Sequence, residues 1–414
     1  MSLSIALSGV QAAQTDIDTI GNNIANVSTV GFKQANAEFS DVFSGARSSL
    51  GASITPGLGV NAGALPQSFS EGTIKQTGNA LDVAINGTGF FQVQTSSGVA
   101  YTRDGQFHLD SSGNLISNAG AQVMGFAGTG SSNATATGSS QPIQISTASI
   151  PASPTSTAAL ALNLPSTDGP IDTAATPFDP ANRSSYSEST SYSVFDSLGV
   201  SRTLTTYFTN TGSSSGSSQW QTNYQLTDAS GNVVGSGTGP SLTFDSSGKL
   251  TSGSGSITIN SLPNGAAPLT ISENFAGTTL SDLAFGVDSI NVNGSGGGQF
   301  TGLSIAPNGA VIGQYDNGAT RNFGTLALAN FANPQGLTPI SGNMWLASPA
   351  SGVPSVGSPL TAGLGSLEAG AVEGSNVDLS TQLVQLISAQ QAYQANVQGI
   401  NIEQQDITRL LTIQ

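Results

Sequence analysis

Large apolar residues repeat every seven positions near the end of this chain. One row runs through Leu379, Leu386, Tyr393, Ile400 and Ile407. A second row runs beside it through Leu383, Gln390, Val397, Gln404 and Leu411. Two such rows are typical of a helix whose seam packs against another helix. We therefore predict a helical segment over residues 363–414, with a seam that requires a partner.

The start of the chain carries a similar but less regular stripe. Its large apolar residues recur at helical spacing, which predicts a helix over residues 1–30. Two helices with uncovered apolar rows, one at each end of the chain, indicate a subunit that packs its ends against those of neighbouring copies. The predicted intersubunit seam consists of Leu3, Leu7, Val10, Ile17, Ile20, Ile24, Leu379, Leu383, Leu386, Tyr393, Val397, Ile400, Ile407 and Leu411.

The region between the two helices alternates between apolar and polar residues, as half-buried strands do. Asp104-Gly105 lies between two alternating segments and predicts a tight hairpin. An Asp-x-Ser-Gly-x pattern starts at Asp110, Asp228 and Asp245 and predicts further hairpin turns. The predicted fold class is mainly β with α-helical termini, in several domains with terminal coiled-coil helices and nested β domains.

Runs rich in Gly, Ser, Thr and Pro mark the predicted domain boundaries, because such segments are flexible by composition. The predicted parts are an N-terminal helix at 1–30, a linker at 31–70, a discontinuous β domain at 71–145 and 297–362, an inserted β domain at 146–296, and a C-terminal helix at 363–414. In this nested order the β domain begins and ends near both helices. We therefore expect the two termini to lie at the same end of the molecule.

Composition narrows the range of partners. Only 8% of the 414 residues are charged, and the formal net charge is −15. The basic residues, among them Lys33, Lys75, Arg103 and Arg202, are scattered along the chain. Without a basic cluster, nucleic acid and anionic membrane surfaces are poor partners. No stretch approaches the roughly 18 apolar residues of a membrane span, and the N-terminus lacks the features of a cleaved signal peptide.

The residues that usually carry chemistry are sparse. There is no cysteine, and the single histidine, His108, stands between Phe107 and Leu109, so that we expect it to face solvent. A lone imidazole without a second His or Cys is not a metal site. The glycine run at 294–298 lacks the lysine of a phosphate loop. We therefore predict no catalytic, cofactor-binding or metal site, and no enzymatic activity.

Several longer motifs occur in order along the chain, namely Ala6–Ala13, Ile20–Asn26, Gly31–Lys33, Leu81–Phe91, Tyr101–Phe107, Asn330–Leu337, Glu373–Leu379 and Gln391–Asn396. They resemble the motifs of the axial proteins of the bacterial flagellum, and those of hook subunits more than those of rod subunits. Rod subunits resemble both ends of the chain but lack an inserted domain of this size. Gln391 departs from the family, which often has a basic residue there, without disturbing the heptads.

The resemblance implies a structural, extracellular role in motility. The subunit would polymerise with itself into a curved hollow tube that forms a universal joint between rod and filament. It would leave the cell unfolded through the flagellar type III export apparatus, without a cleaved signal peptide. Outside, it would assemble under the hook cap and contact the rod and the hook–filament junction proteins.

Phe39 and Phe43 resemble the family's export-gate recognition element. Their spacing of four places both rings on one face if the segment is helical. The alternative is a local hydrophobic anchor with no role in export.

Other classes of protein share parts of this pattern. The nearest alternative is a distal rod-type axial subunit. A secreted surface-layer protein or adhesin has a similar acidic, cysteine-free composition, but is expected to carry a leader or sorting segment. A β-helical carbohydrate-active enzyme is expected to show a steady repeat. Neither of these last two accounts for a helix at each end of the chain.

Overall fold

The computed structural model describes residues 3–42, 57–128, 139–214 and 216–412, with side chains described up to residue 409. Within these ranges the chain forms two long α-helices at its ends, α1 (Leu3–Ala25) and α2 (Leu379–Thr412). Strands dominate the region between them. The prediction of a mainly β protein with helical termini is therefore confirmed.

The strands are numbered in the order in which they occur along the chain. They are β1 (Glu38–Asp41), β2 (Val60–Ala64), β3 (Ile74–Gln76), β4 (Val83–Asn86), β5 (Phe90–Thr95), β6 (Gly98–Thr102), β7 (Phe107–Leu109), β8 (Leu115–Ser117), β9 (Gln122–Ala127), β10 (Gln141–Pro142), β11 (Thr157–Pro165), β12 (Glu188–Phe195), β13 (Ser201–Ser214), β14 (Ser217–Thr227), β15 (Val233–Phe244), β16 (Leu250–Ser252), β17 (Ser254–Ile259), β18 (Leu269–Asn274), β19 (Thr279–Ser281), β20 (Gly286–Val292), β21 (Phe300–Ile305), β22 (Ala310–Tyr315), β23 (Thr320–Leu326), β24 (Leu328–Asn330), β25 (Thr338–Ile340), β26 (Met344–Leu346), β27 (Ser355–Gly357), β28 (Ser366–Ala369) and β29 (Ala371–Glu373).

The chain divides into two compact units. The first, here called the helical unit, consists of Met1–Thr147, Gly302–Gly313 and Thr320–Gln414, and it contains both helices. The second, here called the inserted unit, consists of Ala148–Thr301 and Gln314–Ala319. The finer division into five segments stays a prediction.

The main sheet of the helical unit has the strand order β21-β22-β23-β9-β5-β6-β26-β25. Its core contains fully buried apolar side chains such as Phe91, Val93 and Leu328. Two further strand pairs join distant parts of the chain: β4 pairs with β28, and β3 pairs with β29, both antiparallel. These pairs place the chain that follows α1 beside the chain that precedes α2.

The inserted unit contains two five-stranded sheets. Strands β12 to β16 form an antiparallel meander. In the other sheet, β11 pairs in parallel with β18 and β19 and antiparallel with β20. One apolar cluster, which includes Phe208, Trp220, Phe244 and Phe275, belongs to both sheets. The long strands alternate buried and half-exposed residues, as two packed sheets require.

The Asp-x-Ser-Gly-x segments form the predicted hairpin turns, which join β7 to β8, β14 to β15 and β15 to β16. Oδ1 of Asp110 accepts hydrogen bonds from the backbone N–H groups of Ser112 and Asn114, both at 2.8 Å. Asp228 and Asp245 repeat this arrangement. The Asn114 side chain and these N–H groups favour the ionised form, so they hold the pKa of Asp110 below its ordinary value.

Two sequence-based predictions are wrong. The C-terminal helix begins at Leu379 and not at 363, because β28 and β29 occupy 366–373 and pair with β4 and β3. Asp104-Gly105 does not close a hairpin, since β6 pairs with β5 and β26 while β7 pairs with β8. The Gly105 carbonyl instead accepts a hydrogen bond from the N–H of Val83, which directs the chain toward β4.

Gly21 offers a direct test of helix α1. It lies inside the helix, is exposed, and a Cβ placed on it has no atom within 4 Å beyond the local helix backbone. Alanine has a higher helix propensity than glycine, so Gly21→Ala should stabilise the helical unit by about 0.5–1 kcal/mol. Urea unfolding followed by circular dichroism measures this gain. A loss of stability would mean that the helix has a neighbour or a bend at this position.

Candidate assembly surface on the terminal helices

Helices α1 and α2 pack against each other as an antiparallel pair. Near one end of the pair, Nδ2 of Asn23 donates to Oε1 of Gln382 at 3.1 Å. Toward the other end, a Cβ placed on Gly9 would lie 2.7 Å from Oδ1 of Asn396. Glycine at position 9 therefore leaves room for the Asn396 side chain of α2.

Small and polar residues form this contact within the chain. The side chains buried on α1 include Ala6, Ala13 and Ile20, and those buried on α2 are Gln382 and Ala389. Gln382 and Ala389 lie beside the two predicted rows of α2, in which residues repeat every seven positions, and not in them. The seam inferred from large apolar residues is thus mostly a different face from the one that pairs α1 with α2.

The structure places the predicted seam residues in three environments. Ile20 is buried within the chain. Leu3, Leu7, Leu379, Leu383 and Ile407 are exposed. Val10, Ile17, Ile24, Leu386, Tyr393, Val397 and Ile400 are partly exposed. Leu411 lies in the last turns of α2, and its side chain falls outside the described part.

The structure describes only one of the two candidate export residues. Phe39 lies on β1, and its side chain is exposed. Phe43 lies outside the described residues. The segment that carries Phe39 is a strand paired with β2, so the helical arrangement of the two rings is not adopted by residues 38–41.

Side-chain amides connect the helix pair to the loop segments around residues 34–35 and 68. Asn23 is buried, and it donates to the carbonyl of Ala35 at 2.8 Å and accepts from its N–H at 3.0 Å. Asn376, just before α2, accepts from the N–H of Gln34 and donates to the carbonyl of Ser68, both at 2.8 Å. Buried polar groups of this kind are costly unless they are paired, so each pair specifies one arrangement.

A buried ionic cluster reinforces the same junction. Glu373 at the end of β29 is completely buried, and its Oε1 lies 2.6 Å from Nζ of Lys33. Its Oε2 lies 3.0 Å from Nη1 of Arg103. The N–H of Gly72 also donates to Oε1, at 2.8 Å. The cluster of Lys33, Arg103 and Glu373 therefore connects the segment after α1, the end of β6 and the strand before α2.

Backbone carbonyls bind both cations of the cluster, although Nε of Arg103 is buried without a hydrogen-bond partner among the described residues. Lys33 also donates to the Ser70 carbonyl at 2.6 Å, and Arg103 donates to the Gly87 carbonyl at 2.9 Å. Burial lowers the pKa of Lys33, while the neighbouring Glu373 carboxylate opposes that shift. Next to the cluster, Gly31 has a φ of 69°, and a Cβ there would lie 2.6 Å from the backbone N of Asp104. Only glycine fits this crossing without strain.

The sequence alone does not predict this junction, because its basic residues are scattered and because Glu373 and Asn376 stand out only as parts of a family motif. A charged residue directly after the apolar Val372, in a segment with few charges, was the available signal. His108 is exposed, as expected. Among the described residues no group of His, Cys, Asp and Glu side chains could hold a metal ion, and no helix is long and apolar enough to cross a membrane.

Four protein-family models match the chain in sequence order. They are the flagella basal body rod protein at residues 3–33, the flagellar hook protein FlgE/F/G D1 domain at 84–159, the flagellar basal body protein FlaE D2 domain at 163–295, and the flagellar basal body rod FlgEFG protein C-terminal at 368–413. The rod models cover the ends that form the helix pair, and the D2 model falls within the inserted unit.

Three relatives that match over nearly the whole chain share one description. The chain is 38% identical to the flagellar hook protein FlgE of Escherichia coli over 100% of both chains. It is 37% identical to the protein of the same name from Salmonella typhimurium, again over 100% of both chains. The corresponding protein of Brucella abortus is 31% identical over 94% of this chain and 93% of the relative.

A solved structure supports the fold. The crystal structure of the Helicobacter pylori flagellar hook protein FlgE2 matches with a TM-score of 0.56 at 14% sequence identity, covering 71% of this chain and 99% of that one. At this identity the match supports the architecture alone. The identity and coverage of the full-length relatives decide the assignment: the chain belongs to the flagellar hook protein family, a family of structural proteins of the bacterial flagellum.

Proposed function

We propose that this flagellar hook subunit polymerises with copies of itself through its terminal helices. The observation that carries the proposal is the row of large apolar side chains that the α1–α2 pair leaves uncovered. Leu3, Leu7, Leu379, Leu383 and Ile407 are all exposed, although they lie on helices that already have a partner. Exposed apolar rows of this kind mark protein interaction surfaces. The remaining seam residues are partly exposed and would be covered on assembly.

The assembled tube would serve as a universal joint between rod and filament. Packed helices would resist twisting, because sliding one helix along another breaks interdigitated side-chain contacts. The buried cluster around Glu373 would transmit torque between the helix pair and the strands of the helical unit. Strand-rich units with small polar surfaces would allow neighbouring subunits to shift as the tube bends.

The partners follow from this role. We propose that the subunit leaves the cell through the type III export apparatus without a cleaved signal peptide, with Phe39 and Phe43 as recognition residues. It would then assemble under the hook cap and contact the rod and the hook–filament junction proteins. The exposure of Phe39 is compatible with this role, and the unfolded chain would present both rings.

The rod-type alternative is less well supported. The D2 model matches residues 163–295, which rod subunits lack, and the full-length relatives are described as hook proteins. A surface-layer protein or adhesin has no comparable support.

Substitution of Leu386 tests the seam. Leu386→Asp places a carboxylate where a neighbouring helix would pack, and an unpaired charge that becomes buried costs about 3–5 kcal/mol. We expect the purified full-length chain to lose polymerisation, seen by sedimentation and electron microscopy, and the cells to lose motility.

The matched control is Ala395→Asp, which adds the same carboxylate at an exposed position of the same helix. Ala395 follows Leu386 by nine residues, so it points about 180° away from the direction of Leu386. This control should polymerise as the wild type does. Equal polymer yield from wild type and Leu386→Asp would exclude the seam.

A further inference from the structure

A short segment between β2 and β3 packs on the second face of the main sheet. Phe90 and Phe91 are neighbours on β5, so they point to opposite faces, and only Phe91 belongs to the main core. Phe90 belongs to a smaller cluster on the other face, which also contains Tyr101, Ala329, Phe331, Leu337 and Trp345, each at most 7% exposed. We call this the aromatic cluster. Phe69 packs against it, and we call the segment of residues 65–70 that carries Phe69 the strap.

Phe69 is the apolar anchor of the strap. The centroid of its ring lies 5.5 Å from the ring centroids of both Phe90 and Trp345, in the edge-to-face geometry that aromatic pairs favour. The rings of Phe90 and Trp345 are themselves 5.7 Å apart, so the three rings contact one another. Phe69 is half-buried in this position, whereas Leu65 at the start of the strap is 54% exposed. The apolar attachment of the strap therefore depends mainly on one ring.

Hydrogen bonds fix the strap on both sides of Phe69. Before it, Nε1 of Trp345 donates to Oε1 of Gln67 at 2.6 Å. After it, Nζ of Lys33 donates to the carbonyl of Ser70 at 2.6 Å. These two contacts set the position of the strap along the sheet, and they direct the ring between them into the aromatic cluster.

The strap also forms the base of the β1–β2 hairpin. The segment before β1 pairs with the strap, because the N–H of Asn36 donates to the Pro66 carbonyl at 3.0 Å and the N–H of Ser68 donates to the Gln34 carbonyl at 2.8 Å. Strands β1 and β2 themselves contain no buried residue. A two-stranded hairpin without a buried face is marginally stable in water. Its position in the molecule therefore depends on what holds its base and on its contact with α1.

The contact of the hairpin with α1 is open to water. The N–H of Val60 donates to Oγ of Ser8 at 3.2 Å. Phe39 and Val60 line a solvent-open cavity of about 450 Å³, whose lining on α1 includes both Ile5 and Asp16. Side chains around an open cavity of this kind lack partner atoms on one side and gain less from packing. The aromatic cluster is thus the stronger of the two attachments.

We propose that the strap is a latch that opens and closes as one unit with the β1–β2 hairpin, and that Phe69 closes it. In the closed state the ring lies in the aromatic cluster and the hairpin rests on α1. In the open state the ring leaves the cluster, residues 34–36 separate from the strap, and the hairpin leaves α1 while the main sheet stays folded. Segments with little apolar burial and exposed backbone hydrogen bonds open locally in this way. The latch is a property of the single chain, so it goes beyond the proposed function and does not require polymerisation.

Hydrogen exchange of the full-length chain, at a concentration where no polymer sediments, tests the latch. Phe69→Ala removes the ring and leaves every hydrogen-bonding group of the strap in place. The lost packing should make the amides of Asn36, Ser68 and the two hairpin strands exchange about ten- to a hundredfold faster. Because these amides belong to one opening unit, they should accelerate by the same factor. The amides of β5 and β9 should keep their wild-type rates, which shows that the main sheet is folded.

The matched control is Leu65→Ala, which shortens an exposed side chain of the same strap and should exchange as the wild type does. Wild-type exchange in Phe69→Ala would overturn the latch, since the ring would then not hold the strap. Faster exchange in the strap without the hairpin would show that the two do not open together. Equal acceleration in β5 would make Phe69 an ordinary part of the core, and equal acceleration by Leu65→Ala would remove the special role of the ring. Each of these results would leave the proposed function in place.

Discussion

Replacing Glu373 with Gln is expected to destabilise the helical unit by about 3–5 kcal/mol. The substitution keeps the shape of the side chain but removes its charge. Lys33 and Arg103 would then remain buried, side by side, without their carboxylate. Removing one partner of a buried ion pair costs far more than the pair itself contributes, because the remaining charge has lost its compensation. Hydrogen exchange of peptides from β3, β6 and β29 measures the loss.

The matched control is Glu368→Gln on β28, whose side chain is partly exposed and bonds to Gln76. It should change stability by less than about 1 kcal/mol, as exposed polar substitutions do. The double variant Lys33→Met with Glu373→Gln should lose less than the sum of the two single variants, because it removes one of the uncompensated charges. A cost for Glu373→Gln no larger than that of the control would show that the cluster does not hold the junction.

The same substitution bears on function. The cluster joins the segment after α1 to the strand before α2, and both segments lead into the helix pair. Loosening it should allow the helices to change direction relative to the sheet without unfolding them. We therefore expect Glu373→Gln to weaken torque transmission in assembled hooks before it abolishes assembly.

The helices were predictable from the sequence because their signal is local. Heptads in α2 and the apolar stripe in α1 depend on spacings within one element, and both helices formed where these patterns are strongest. The Asp-x-Ser-Gly-x turns were predictable for the same reason. The aspartate bonds to N–H groups two and four residues later, so the motif carries its own hydrogen bonds.

The errors occurred where distant residues decide the structure. Residues 366–373 are strands because β3 and β4, about 300 positions earlier, pair with them. The carbonyl of Gly105 accepts a hydrogen bond from the N–H of Val83, so Asp104-Gly105 does not reverse the chain. The contact between α1 and α2 uses Gly9, Ala13 and Ala389, residues that a search for large apolar side chains passes over.

The candidate site was predictable only in part. The apolar rows can be read directly from the sequence, but which of their residues stay exposed depends on how α1 and α2 pack against each other. The ionic cluster is still less accessible, because Lys33 and Glu373 are 340 positions apart and Arg103 and Glu373 are 270 apart. No local sequence pattern links these three charged residues, so the sequence does not indicate that they share one buried site.

Glu273 in the inserted unit is a second buried acidic residue, and its environment differs from that of Glu373. Its side chain is completely buried. Oη of Tyr192 donates to its Oε1 at 2.7 Å, and Thr206 lies at 3.5 Å from the same oxygen. Within the described part of the chain, Oε2 has no hydrogen-bond partner. Burial raises the pKa of Glu273 above its ordinary value, while the hydrogen bonds from Tyr192 and Thr206 partly oppose the shift.

This raised pKa predicts a fall in the stability of the inserted unit as the pH increases. Below the ordinary value of 4.5 both the folded and the unfolded chain hold the proton, and the contribution of Glu273 is complete. Between that value and the higher pKa of the folded state, the unfolded chain loses the proton first. The free energy of unfolding then decreases by at most about 1.4 kcal/mol per pH unit. Above the folded pKa the decrease stops.

Glu273→Gln should remove this slope, because an amide does not titrate. The fluorescence of Trp220, which lies in the core of the inserted unit, reports its urea unfolding when Trp345 is replaced by Phe in every chain compared. We expect the wild type to lose stability relative to Glu273→Gln as the pH rises above the ordinary value of 4.5. Asp288→Asn, on an exposed position of β20, is the control and should run parallel to the wild type. Parallel curves for wild type and Glu273→Gln would show that Glu273 titrates normally and that water reaches its carboxyl group in the folded chain.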